Sequence, residues 1–348
     1  MKRLKNLIIF LIFFSIPCFV GPQDLLHGAL STKNEIPELS QVHYWFNTKI
    51  PLTKKNLSGK VVLIDFWSYT DRRSIRRIQQ VITHWHTNYQ FDSFEIIGVL
   101  TPQFLFEKNP KTVSKILQNL KIYYPVVLDD ASNLWHVFNP PAQPFSFLVD
   151  GEGRVREKLA ETFDLNKTEL QILELIRKAA PDAALIASEK IHLPAYEDFP
   201  DFYFGYKKLT GYGNDQKMTA ETAQVFSFPA QFFPQHFYLK GTWKSKEESL
   251  QLTGPPASLI LPHEARGVYL VAGSVTSAPI PAEIRLDGQP LTKQIKGKDI
   301  VLQEGKSYLF VKDYRLYEIL KLPEKRGPYQ LEMIFEDPGV EIFKASFE

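Results

Sequence analysis

The sequence predicts a mixed α/β domain followed by an all-β sandwich. Three observations carry this expectation. A length of 348 residues exceeds one ordinary domain and implies two modest cores. Between residues 45 and 180, short runs of β-forming residues alternate with segments whose apolar positions recur every three or four, so strands alternate with helices. From Phe237 onward the helical period vanishes, and short alternating runs bounded by turns take over, as in an antiparallel sandwich. The boundaries follow: residues 1–21 as signal peptide or N-terminal anchor, 22–44 as leader, 45–180 as the α/β domain, 181–235 as an aromatic-rich bridge and 236–348 as the β-sandwich.

At the N-terminus, "MKRLKNLIIFLIFFSIPCFV" puts Lys2, Arg3 and Lys5 before an apolar run from Leu7 to Val20. A basic head on a short apolar run is an export signal. Its length of about 14 residues falls short of the roughly 20 needed to span a bilayer, which favours cleavage over a permanent anchor. The chain is therefore expected to be exported and periplasmic, with attachment to the inner membrane through this segment as the alternative. Residues 22 to about 40 read as a loosely held leader.

"VVLIDFW", Val61 to Trp67, follows the turn signal Ser58-Gly59 and reads as a buried strand. From Arg72 to about Tyr89, Ile75, Ile78, Val81, Ile82 and Trp85 share one face of a helix. Phe94 to Leu100 is the next strand, Lys111 to Leu120 a helix, and "YPVVLDD" a strand. "PFSFLVDGEGRVREKL" is a hairpin turning at Gly151 to Gly153. Asn166 to Ala180 is a closing helix stopped by Pro181. Beyond the bridge, eight or so short strands run from "FYLKGTW" to "VEIFKASF".

Composition narrows the function. A formal charge of +2 is too small to argue for nucleic acid or a membrane surface. Cys18, inside the export signal, is the only cysteine, so the exported part can build no disulfide, thiolate metal site or cysteine nucleophile. His84 and His86 stand two apart on a helix and point to nearly opposite sides, which argues against a chelate. No nucleophile elbow, zinc helix or phosphate loop is present. Neither cofactor nor metal is expected.

The stretch "GKVVLIDFWSYT", Gly59 to Thr70, resembles the strand and loop that lead to the active site of thioredoxin-like proteins, closest to the periplasmic modules of the DipZ and TlpA types. The likeness continues through "IIGVLTPQFLFEKNP", "YPVVLDD" and "QPFSFLVDGEGRVR", covering residues 45 to 180. "FPDFYFGY", "LDGQPL" and "FEDPGVEIFKASF" resemble the β module that follows in the DipZ type, a jelly-roll often described as carbohydrate-binding-like. The resemblance implies a Cys-x-x-Cys loop after Trp67, Ser68, Tyr69 and Thr70. Here the two cysteine positions are Asp71 and Ser74. Disulfide exchange needs a thiolate attacking sulfur, and neither a carboxylate nor an ordinary hydroxyl replaces it.

At the amino end of a helix, Asp71 is instead expected to act as N-cap. Asp65 matches the buried acid that serves the second cysteine in this family, and without that cysteine a carboxylate held by hydrogen bonds is expected. Pro144 matches the family's cis-proline, beside which an extended peptide segment pairs. Arg72, Arg73, Arg76 and Arg77 form two adjacent helical rows suited to an anion, or else pair with nearby acids. The leading expectation is a non-catalytic binder of an extended peptide or anionic partner over Asp71 to Arg77 and Pro144. One alternative is glycan binding through the β-sandwich, with Trp243, Tyr269, Tyr308, Tyr314 and Tyr317 as candidate stacking platforms; another is an enzyme to which a second protein supplies both thiols, or in which Asp65, Asp71 and Ser74 serve unrelated chemistry.

Overall fold

The structure is a computed structural model that describes residues 35–39, 42–90, 93–183, 199–276, 278–324 and 327–348. The expected export signal and most of the expected leader lie outside the described residues. The first domain is built on strands β1 (Tyr44–Phe46), β2 (Val61–Trp67), β3 (Phe94–Leu100), β4 (Val126–Leu128), β5 (Phe145–Val149) and β6 (Val155–Leu159). They form one sheet in the order β1-β4-β3-β2-β5-β6. β2 runs parallel to β3 and antiparallel to β5. Helices α1 (Lys54–Leu57), α2 (Arg72–Arg77), α3 (Thr83–Tyr89), α4 (Pro110–Asn119), α5 (Asn133–Phe138) and α6 (Leu165–Ala179) complete the domain. All seven residues of β2 are buried, because separate apolar clusters cover its two faces. A strand covered on both faces reads as a continuous apolar run rather than an alternating one.

The single helix expected from Arg72 is interrupted. A π-helical turn, Ile78–Ile82, joins α2 to α3. The turn keeps Ile78, Val81, Ile82 and Trp85 fully buried while leaving Gln79 and Gln80 exposed.

The second domain contains β7 (Phe202–Tyr203), β8 (Ala223–Phe226), β9 (Tyr238–Ser245), β10 (Leu250–His263), β11 (Gly267–Ser274), β12 (Ile280–Leu286), β13 (Gln289–Pro290), β14 (Ile300–Gln303), β15 (Lys306–Val311), β16 (Arg315–Lys321), β17 (Tyr329–Phe335) and β18 (Val340–Phe347). Their 12 strands form one antiparallel hydrogen-bonded network, nearly barrel-like, around one core. β10 joins the two halves of this network. Its start pairs with β18 and its end with β17, and register shifts near Gly254 bend it between the two.

Two sequence-based boundaries need correction. Residues 199–235 are not a bridge: β7 pairs with β18, β8 pairs with β9, and Phe202, Phe204 and Phe226 sit in the second core. Their aromatic richness is core composition read as linker because the strands are short. The described end of the leader is not loose either, since Ile36, Leu39 and Val42 are buried in the first domain.

The two domains pack against each other. Phe104 and Phe343 meet edge to face at 5.3 Å between ring centroids, and Phe106 and Phe343 at 4.9 Å. The Leu105 N–H donates to the Glu248 carboxylate at 2.9 Å. One side of this joint is the loop after β3; the other includes β18.

Candidate functional site

Strand β2 delivers its last residues into a tight loop, and α2 starts directly after it. Asp71 has the extended backbone of a helix N-cap, φ −99° and ψ 113°, and its carboxylate accepts from the Ser74 N–H. The same oxygen accepts the Ser74 hydroxyl at 2.7 Å. Both residues of the degenerate pair are thus satisfied by one another. They are also out of reach, with Asp71 2% and Ser74 0% exposed.

What covers them is the second domain. Lys344 of β18 is itself buried, and its ammonium stands 4.0 Å from the Asp71 carboxylate, 3.7 Å from that of Asp201 and 3.3 Å from the Gln103 side-chain oxygen. A buried lysine is expensive unless its charge is matched, and two carboxylates match it here.

Below the loop lies a group that sequence reading missed. Glu107 is fully buried and accepts the Ser68 hydroxyl at 2.6 Å, the Thr70 hydroxyl at 2.7 Å and the Gln103 and Phe104 N–H groups at 3.0 and 3.2 Å. Burial pushes its carboxyl up to about 7, against the pull of those donors and of Lys344. In "QFLFEKNP" it is one acid among aromatics, a weak signal. Lys344 left a clearer one, as a cation inside the otherwise apolar run "VEIFKASF".

Asp65, at the middle of β2, is fully buried and held by the Arg77 guanidinium and the Ser146 hydroxyl. Burial raises its carboxyl above the ordinary range, while Arg77 and Ser146 pull the other way. Trp67 faces the first core, fully buried, and presents nothing to a ligand.

The four arginines do not form one patch. Arg77 turns inward to Asp65. Arg73 pairs with Glu161 at 3.1 Å and with Asp71 at 3.5 Å. Arg72 and Arg76 reach the second domain, where both meet the Glu348 carboxylate, at 3.3 and 2.9 Å, and Arg72 donates to the Phe347 carbonyl. All four lie within regular α2, and the acids of the first domain and the covering second domain draw their side chains apart.

Pro144 follows a cis peptide bond from Gln143. The Gln143 amide donates to the Thr101 carbonyl at 2.9 Å and its oxygen accepts from Gln103 at 3.0 Å, tying this loop to the end of β3. Beside it a cleft of about 520 Å³ opens between the domains, lined by Arg73, Gln103, Phe104, Trp135, Gln143 and Tyr203 among others. Of the candidate stacking aromatics, Tyr269 and Tyr308 are half-buried. Trp243 and Tyr317 are core residues, and Tyr314 packs against Phe106 and Phe343 at the domain joint.

Residues 199–347 match the family model described as "Thioredoxin like C-terminal domain". The chain is 32% identical to protein DipZ of Mycobacterium tuberculosis over 279 residues, which is 77% of this chain and 40% of DipZ. The chain is a thioredoxin-like protein related to DipZ. It spans less than half the length of that relative. A second similarity, 30% over 121 residues, is to NHL repeat-containing protein 2 of Gallus gallus, covering 34% of this chain and 17% of the relative. Among solved structures, a thioredoxin-family thiol:disulfide interchange protein of Chlorobium tepidum TLS aligns with 18% identity and a TM-score of 0.35, over 41% of this chain and 97% of that one. The matched C-terminal family begins at Phe199, three residues before β7. Among the described residues no cluster of His, Cys, Asp and Glu is arranged to hold a metal, and no helix is long and apolar enough to cross a membrane.

Proposed function

We propose that this protein is an exported, non-catalytic member of the thioredoxin-like group that holds an extended peptide segment of a periplasmic partner in the cleft beside Gln143 and Pro144. One observation carries the reading: the two positions of the redox loop are sulfur-free, locked to each other and covered, while the cleft beside them stays open at about 520 Å³. That volume lies in the range of ligand-binding clefts. Trp135 and Phe104 supply an apolar wall for such a segment and Arg73 a cation at the start of α2. Thiol–disulfide exchange is excluded from the role because residues 19–348 contain no cysteine. Export rests on the basic head and apolar run of residues 1–21.

The test is fluorescence anisotropy of reduced, carboxymethylated insulin B chain, an extended polypeptide without free thiols, titrated with residues 22–348. Saturable binding that weakens about tenfold in both Arg73→Glu and Trp135→Ala supports the reading. Binding indifferent to both changes, or none at all, overturns it.

A further inference from the structure

On another face of the same joint lies a second cavity, of about 430 Å³, which the peptide cleft does not share. α2 and the π turn form one wall, and β11, β16 and the segment after β16 form the other. Five basic side chains line it, Arg72, Arg76, Arg266, Lys298 and Lys321, against two carboxylates, Glu318 and Glu348. Glu348 is already committed to Arg72, Arg76 and the Tyr269 hydroxyl. Arg266, Lys298 and Lys321 have no carboxylate within ion-pair distance among the described residues. Burial lowers the pKa of Arg76, Glu348 opposes that, and the nearby charges of Arg72 and Arg266 deepen it. Among the described residues, the cavity therefore carries more positive than negative charge.

A recess with low-dielectric walls and one sign of charge concentrates counter-ions of the other sign. Guanidinium forks match tetrahedral oxyanions in two-point hydrogen bonds, and ammonium groups add compact charge. The wall is not wholly polar, since Ile75, Leu316 and Tyr269 also face the space. A bare oxyanion occupies a small part of 430 Å³. We propose that this cavity binds a small organic phosphate, its phosphoryl group held between Arg76, Arg266 and Lys298, and its organic part against Ile75, Leu316 and Tyr269. The exposed Gln79 and Gln80 of the π turn offer amide hydrogens at the rim. Because the ligand touches both domains, it also bridges them.

Isothermal titration of residues 22–348 with glucose 6-phosphate, inorganic phosphate and glucose, at matched ionic strength, tests this. Glucose 6-phosphate is expected to saturate with Kd at or below about 1 mM, inorganic phosphate several-fold weaker, and glucose to give no signal. Lys298→Glu with Lys321→Glu, both at exposed positions, is expected to weaken glucose 6-phosphate at least about tenfold while insulin B-chain binding persists, which separates this site from the peptide cleft. No saturation by about 10 mM, equal affinity for inorganic phosphate, or affinity unchanged in the double variant would each overturn the proposal.

Discussion

Arg77→Met offers the sharpest test of the interior beneath the degenerate loop. The substitution keeps an apolar stem of similar reach and removes the guanidinium from Asp65, leaving that buried carboxylate with the Ser146 hydroxyl. Breaking a buried pair from one side typically costs about 3–5 kcal/mol, because one charge is left uncompensated. The structure sets a ceiling on this figure. Asp65 can escape by taking up a proton, and relative to its ordinary pKa of 3.8 that costs about 4 kcal/mol at pH 7. Each unit of acidification lowers the ceiling by about 1.4 kcal/mol, so at pH 5 it is under about 2 kcal/mol.

The sign follows from linkage. Without the pull of Arg77 the folded variant holds the Asp65 proton more tightly than the folded wild type does, so the deficit is absent at low pH, where both are protonated, and grows as the pH rises. Urea unfolding at pH 5, 6, 7 and 8, followed by tryptophan fluorescence, measures it. Four of the five tryptophans, Trp45, Trp67, Trp85 and Trp135, report on the first domain. Asp65→Leu added to Arg77→Met should recover most of the loss, since two apolar side chains leave no orphan charge. A loss below about 1 kcal/mol at pH 7, or one that does not change with pH, would refute this reasoning.

Three further outcomes are expected. Glu107 is raised from 4.5 to about 7, so its folded form binds a proton more tightly than the unfolded chain does; stability is full below pH 4.5 and declines by up to about 3 kcal/mol as the pH rises through 7, a slope that Glu107→Gln removes in thermal melts between pH 5 and 8. Asp71→Cys with Ser74→Cys restores the sulfur atoms, yet insulin reduction is expected to stay at background until Lys344→Ala and Phe343→Ala loosen the covering strand; a fast double variant would show that the second domain swings clear. Phe343→Ala removes a buried ring from the joint with Phe104, Phe106 and Tyr314, and is expected to cost about 3 kcal/mol and to open the joint to limited proteolysis.

Much of the first domain was legible because its signals are local. The apolar run of β2, the Gly151 to Gly153 hairpin and the acid at the start of α2 each depend on a few neighbouring residues. The second domain was legible as β but not in its extent: β7 and β8 are 2 and 4 residues long, too short for alternation to show, and are defined by partners far along the chain. The site was least legible. The contact between Lys344 and Gln103 spans 241 residues, and nothing near either position announces it. The arginine rows were read from the geometry of an isolated helix, and the acids at Asp65, Glu161 and Glu348, distant in the chain, redistributed their side chains.

The Asp71–Ser74 link has a consequence for how this molecule meets its surroundings. A dithiol loop exists in two forms, and whatever rests on it meets one surface when electrons are present and another when they have been withdrawn. A carboxylate accepting a hydroxyl has no such second form. Whether the compartment is oxidising or reducing, the loop keeps one shape, and a partner seated beside it meets the same surface at every potential.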